Sequence, residues 1–179
     1  MIVKRREINY SIFSVAIEEH KNIKSNLLHL IDKQNKTTLN GDAQFCESDW
    51  TVDIGQEREY FKYLRVYIDK YIESIIIDNS PKDIELNFEY QNVWFQRYVK
   101  NHYHDWHNHE GTWAIIYFLE LSDPDLSTEF FIPFEKDIVK INVEEGDLLI
   151  FPGNLWHRSS PNMSSKTKTV IVSNIMITL

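Results

Sequence analysis

Four of the seven histidines stand close together, at His102, His104, His107 and His109, directly ahead of an apolar, aromatic run, TWAIIYFLEL. In an extended segment, side chains two apart point to the same side, so His107 and His109 can offer both imidazoles to one ion. A third histidine, His157, follows Gly146-Asp147, the apolar stretch Leu148 to Phe151 and the turn sequence Pro152-Gly153-Asn154, which would present Trp156 and His157 at the end of a sheet. Imidazole nitrogens suit Fe(II), Zn and Cu alike. Structural zinc sites are closed by four protein ligands, commonly including Cys, whereas three ligands leave positions for water, oxygen or a substrate. The pattern therefore predicts a catalytic metal site built from His107, His109 and His157. Asp105 and Glu110 flank the pair and are the alternative carboxylate ligands.

An open metal position can chelate a 2-oxo acid through its keto oxygen and C1 carboxylate. The far carboxylate then needs a cation about one strand away. Lys168 starts the β-rich run KTVIVSNIMITL, in which alternation sets Lys168, Val170, Val172 and Asn174 on one face. If that face points inward, the ammonium reaches the site.

These groups need rigid elements behind them. Ile8 to Ile17 is rich in β-branched and aromatic residues and reads as a first strand. His20 to Lys33 carries Ile23, Leu27, Leu28, Leu30 and Ile31 mostly at helical spacing, and Glu57 to Ile77 is a longer helix closed by Asp78-Asn79-Ser80-Pro81. Asn35 to Ser48 is polar and reads as a loop. From Ile84 onward, short β-rich runs alternate with turn signals: Ile84 to Val99, Thr112 to Leu121, Glu129 to Phe134, Ile138 to Val143, Asp147 to Phe151 and Thr167 to Leu179. Helices collected ahead of many short strands predict a mainly β, α+β architecture: a jelly roll, or double-stranded β-helix, buttressed by N-terminal helices. The expected organisation is one domain over residues 1–179, with 1–83 packing as a strand and helices on a core of 84–179 that holds the metal site.

The totals exclude several classes. A net charge of −8 and a pI near 5.3 argue against broad, sequence-independent nucleic-acid binding, which depends on a basic surface to release counterions. No stretch approaches the roughly 18 apolar residues of a membrane span, and the basic start MIVKRREINY is not followed by a secretory apolar core. The single Cys46 makes no internal disulfide, so a reducing cytoplasm is expected.

On these residues the sequence resembles the Fe(II)/2-oxoglutarate-dependent oxygenase superfamily, and in particular its small phage and bacterial members. The matching pieces are NVWFQRYVKNHYHDW, HNHEGTWAIIYFLEL, GDLLIFPGNLWH and KTVIVSN, which together span Asn92 to Ile175. The resemblance implies Fe(II) as cofactor and 2-oxoglutarate as cosubstrate, with His107 and His157 as iron ligands. It puts His109 where most members carry Asp, Lys168 where the 2-oxoglutarate-binding Arg usually sits, and Tyr98 near a tyrosine that hydrogen-bonds the cosubstrate. Val170 replaces the usual serine, and lysine lacks the two-pronged fork of arginine. The implied activity is a dioxygenase, a hydroxylase acting on a small or macromolecular substrate. Trp106, Trp113 and Arg158 are the residues expected at the mouth.

Two other readings compete. GDLLIFPGNLWH also resembles a cupin second motif, and an all-histidine site would suit an oxo-acid-independent dioxygenase or an isomerase, but the glutamate expected a few residues after His-x-His is missing. A jelly-roll binding module without metal is the third.

Overall fold

The computed structural model describes residues 10–52, 55–79, 86–132 and 137–178. Among them are two α-helices, one short 3-10 helix (Pro124–Leu126) and eleven strands. The first strand, β1 (Phe13–Ala16), leads to helix α1 (His20–Asp32), which buries His20, Ile23, Leu27 and Ile31 along one stripe. Helix α2 (Glu59–Asp78) buries Tyr60, Phe61, Leu64, Ile68, Ile72 and Ile76, again at three- and four-residue intervals. Its last turn is closed by Asn79, whose Nδ2 donates to the Ile75 carbonyl at 2.8 Å. The expected stop at Ser80-Pro81 lies outside the described residues, as does the start of the first predicted strand.

The remaining strands are β2 (Thr37–Gly41), β3 (Gln44–Ser48), β4 (Asn87–Tyr98), β5 (Tyr103–His107), β6 (Trp113–Leu121), β7 (Glu129–Ile132), β8 (Asp137–Lys140), β9 (Asp147–Pro152), β10 (His157–Ser159) and β11 (Lys168–Thr178). They form one curled antiparallel sheet in the order β1-β9-β6-β11-β4-β3-β5-β10-β7-β8, with β2 paired to β3 alone. This is the predicted jelly roll with two N-terminal helices laid against it. The segment expected to be a loop, Asn35 to Ser48, is instead the β2–β3 hairpin. Its polar composition belongs to its outer face, while Cys46 and Ser48 are fully buried.

Period-two alternation in β6 divides the interior in two. Ile115, Tyr117 and Leu119 face the helices, joined by Leu148, Ile150 and Ile171. Ala114, Ile116 and Phe118 face into the roll, joined by Leu149, Phe151, Val170 and Val172. Every strand of this part is covered on both sides, which is why TWAIIYFLEL reads as continuously apolar. One polar cluster pins α1 to the sheet: His20 Nδ1 lies 2.7 Å from the Tyr117 hydroxyl, and Lys24 donates to Glu145 at 2.6 Å. Gly146, at φ +97°, makes this fit possible, since a β-carbon there would lie 2.7 Å from the His20 ring.

Candidate metal centre and cosubstrate cleft

Strand β5 and the short β10 carry two of the predicted ligands opposite one another, His107 paired with His157. The next pairing is His104 with Ser159, so three residues on β5 span the two on β10. This bulge brings His104 to the same side as His107, and their rings stack with centroids 3.7 Å apart. His109 lies just past the end of β5. Its backbone N–H donates to the Gly153 carbonyl at 2.7 Å, and Gly153 N–H donates to Thr112 at 3.1 Å. The turn Pro152-Gly153-Asn154 thus clips the loop that bears His109 and also delivers His157.

Ligand atoms of His107, His109 and His157 all lie within 4.8 Å of one another, and His109 Nε2 stands 3.1 Å from His157 Nε2. Imidazole nitrogens hold divalent transition metals at roughly 2.1 Å, so two in adjacent, right-angle positions stand roughly 3 Å apart. The donor set fits a metal on that count, and on a second. The other ring nitrogens are already occupied: His107 Nδ1 contacts the Asp105 carbonyl at 2.7 Å and His157 Nδ1 the Leu155 carbonyl at 2.9 Å. Each Nδ1 therefore carries the proton, leaving an Nε2 lone pair for an ion. Beside His109, the Asn174 side chain favours the ring's protonated form, and its Oδ1 is buried with no other partner among the described residues. Burial holds all three imidazoles below the ordinary histidine range, His109 down to about 3, so they are neutral at physiological pH and compete little with a metal for protons.

Asp105 and Glu110 are exposed and outside this cluster, the Asp105 carboxylate capping the Trp106 N–H at 2.8 Å. His102 packs on Phe45 away from the cluster.

Lys168 is fully buried on the inward face of β11 with Val170, Val172 and Asn174, as alternation predicts. Its Nζ makes one hydrogen bond, to Ser159 Oγ at 3.0 Å, and no carboxylate among the described residues lies in salt-bridge reach. A lysine has three donors. An ammonium buried with a single neutral partner fits a missing anion, and the narrow cleft it shares with Tyr98, Thr128, His107 and His157 leads to the histidines. Burial lowers its pKa to about 7. Tyr98 is buried beneath it, with Lys168 Nζ 5.3 Å from the ring centroid.

On the other side of the histidines opens a cavity of about 330 Å³, lined by Trp50, Trp94, Gln96, His104 and Asn108 among others. The expected mouth is only partly right. Arg158 borders the Lys168 cleft but is tied to Glu129 at 2.8 Å and lies over Trp106. Trp113 faces the opposite side of the sheet and packs on Phe13, because it falls on the odd, helix-facing positions of β6. Trp50 and Trp94 take its place, with ring centroids 4.3 Å apart, and Trp94 stands 5.5 Å from His109. Position 94 alternates with 96 and 98 on β4, the one sequence signal that could have pointed to it.

The glycine clip gives a direct prediction. A β-carbon at Gly153 would lie 2.1 Å from the Gly111 carbonyl oxygen and 2.9 Å from its carbon, both backbone. Gly153→Ala must therefore push the His109 loop from the turn that carries His157. A loss of about 1–3 kcal/mol is expected from the overpacking, read as a lower Tm, together with weaker Fe(II) binding in a metal titration.

A family model described as phytanoyl-CoA dioxygenase matches residues 100–170, the segment from the histidine cluster to β11. Curated protein sequences yield no match. Among solved structures, a Pseudomonas putida prolyl-4-hydroxylase is similar at 12% identity with a TM-score of 0.66, covering 93% of this chain and 92% of that one. A viral collagen prolyl hydroxylase from Paramecium bursaria Chlorella virus-1, solved with 2-oxoglutarate, is similar at 16% identity and 0.63, covering 92% and 94%. An oxidoreductase of the 2OG-Fe(II) oxygenase family from Burkholderia pseudomallei gives 9% identity and 0.71, covering 92% and 85%. These structures share the fold, and the family match falls on the residues that form the site. The chain thus shares its fold with Fe(II)/2-oxoglutarate-dependent oxygenases, and the segment that carries the histidines is similar in sequence to a dioxygenase family. Its cluster of His107, His109 and His157 differs from the pattern of two histidines and a carboxylate common among non-haem Fe(II) oxygenases.

Proposed function

We propose that the protein is an Fe(II)- and 2-oxoglutarate-dependent hydroxylase in which His107, His109 and His157 hold the iron and Lys168 binds the distal carboxylate of 2-oxoglutarate. The observation that carries this is the pairing of three converging imidazoles with a buried ammonium that lacks an anion, at the two ends of one cleft. When bound, iron with 2-oxoglutarate and dioxygen supplies the oxidation: the oxo acid loses carbon dioxide to become succinate, and a C–H bond of the substrate becomes C–OH. The chain's own part is ligation, orientation and exclusion of water. Asp105 and Leu155 carbonyls fix the His107 and His157 rings through Nδ1. Tyr98, Phe118 and Val170 wall the cosubstrate cleft, so an ion pair formed there is shielded from screening. The substrate is a small molecule or a residue of a macromolecule small enough for the cavity beside Trp94. A reducing, cytoplasmic setting suits Cys46, whose buried thiol is pushed up to about 12 and stays protonated.

The test is anaerobic addition of Fe(II), then 2-oxoglutarate, to the metal-free protein. The visible charge-transfer band of the chelate is expected, and His157→Ala should abolish it by removing the most deeply buried ligand. Iron binding without a band would favour the cupin-like reading, and no metal binding would end both.

A further inference from the structure

The cavity beyond the histidines is unusual in what it lacks. Among the described residues, five carboxamide side chains line it, from Gln44, Asn92, Gln96, Asn108 and Asn174, and no Lys or Arg does. A phosphate or carboxylate entering it would find no cation, and Glu110 at its rim would repel one. Two indoles supply the apolar wall. Such a lining recognises an uncharged, hydrogen-bonding group.

One of these groups is not free to choose its role. As an ammonium Lys168 Nζ can only donate, and it donates to Ser159 Oγ at 3.0 Å. The Ser159 hydroxyl in turn acts on the Tyr98 phenol. Tyr98 O–H donates to Gln96 Oε1 at 2.7 Å, and Gln96 Nε2 lies 3.0 Å from His104 Nδ1. Gln96 also lies beside the buried Cys46 thiol. Read from the lysine, every link runs one way, and His104 Nδ1 must accept. The ring proton then sits on Nε2, which has no partner among the described residues, on a half-buried ring bordering the cavity. The stack against His107 holds that ring in plane.

We propose that His104 is a substrate-binding residue, a fixed N–H donor whose polarity is set by a hydrogen-bond relay from the cosubstrate lysine through Ser159, Tyr98 and Gln96, and that it selects an uncharged substrate group bearing an acceptor oxygen. Gln96 is the positioning residue. The inference rests on the proposed assignment of Lys168 and the histidine triad, but it has its own readout.

Long-range proton–nitrogen correlation on histidine-labelled protein, loaded with diamagnetic Zn(II), reports which nitrogen of His104 is protonated, with His104→Asn identifying the signal. The wild-type ring is expected to be protonated at Nε2. Gln96→Glu supplies a carboxylate in place of the amide donor and should move the proton to Nδ1. Tyr98→Phe removes the link that orients the amide and should leave a mixture of both forms. N,N-dimethylacetamide, which only accepts, should shift the wild-type Nε2–H signal, and methylammonium, which only donates, should not; Gln96→Glu should reverse that preference. Protonation at Nδ1 in the wild type, or an unchanged tautomer in both variants, overturns the relay. Equal response to the two probes overturns the selection. Loss of the chelate band would sink the metal and cosubstrate assignment instead, and leaves the tautomer measurement standing.

Discussion

Lys168→Met should make the protein more stable and its cosubstrate binding far weaker. The ammonium is fully buried with one neutral hydrogen-bond partner, and burial brings its pKa from the ordinary 10.5 to about 7. At about 1.4 kcal/mol per pH unit, keeping it charged in the fold costs on the order of 5 kcal/mol. Replacing a buried charge by a well-packed apolar side chain commonly recovers about 1–4 kcal/mol, and each kcal/mol is worth about 2–4 °C in Tm for a domain of this size. The sign with pH follows from linkage. A lysine whose folded pKa is depressed binds fewer protons in the fold than in the unfolded chain between about 7 and 10.5, so its penalty is full below that window and disappears as pH rises through it. Relative to Lys168→Met, the metal-free wild type should gain stability across that range; above about pH 9 the raised Cys46 thiol pulls both proteins the other way. The histidines do not blur this, since their depressed values act below pH 6.5. With 2-oxoglutarate present the order reverses. The far carboxylate would lose the cation proposed for it, at a cost of about 2–5 kcal/mol, or roughly 30-fold to several thousand-fold in Kd. Titration of the Fe(II) protein followed by the chelate band measures it. A variant that binds 2-oxoglutarate normally would remove Lys168 from the cosubstrate site.

This double effect was legible in the sequence because it depends on alternation. Lys168, Val170, Val172 and Asn174 share a face whatever the partner strands are, and β11 keeps that face intact. The irregularities opposite it fall in its partner strands, in β4 at Asn92 with φ 50° and in β6 at Leu119. Helices α1 and α2 were equally plain from their periodicity. What the sequence hid depends on pairing between distant segments. His104 and His107 are three apart and should face opposite sides of a strand; only the bulge against His157 and Ser159 brings both to the site. The β2–β3 hairpin was disguised by a polar outer face, its burial resting on Cys46 and Ser48 alone. Trp113 adjoins the histidines in sequence, but the register of β6 turns it to the helices. Trp50 gave no local signal, since its place over Trp94 depends on the segment from Ser48 to Trp50 folding across β4.

That segment is held by a buried charge, and breaking it should be the most damaging single change outside the metal site. Asp49 is fully buried; its Oδ2 lies 3.1 Å from Arg58 Nε and accepts from the Tyr60 hydroxyl at 2.9 Å, and its Oδ1 accepts from the Phe95 N–H at 2.9 Å. Arg58 also donates to the Asp49 and Val52 carbonyls. Two consequences meet here. The carboxylate anchors β4 between Trp94 and Gln96, which wall the cavity, and it ties that strand to the start of α2. Burial raises the Asp49 pKa, opposed by the Phe95 N–H, by Tyr60 and by the guanidinium. Arg58→Ala removes the opposing charge and leaves an uncompensated buried carboxylate, so a loss of about 3–5 kcal/mol is expected in denaturant unfolding. An acid whose folded pKa is raised binds more protons in the fold than in the unfolded chain. Acidification toward that raised value therefore favours the fold at this group, and the cost of Arg58→Ala should shrink as pH falls from 7 toward 5. Asp49→Asn in the same background keeps an acceptor for Phe95 and removes the charge. The double variant should be more stable than Arg58→Ala alone, a coupling that a double-mutant cycle measures directly. If instead the two losses simply add, the pair is not what holds Trp50 and Trp94 at the cavity.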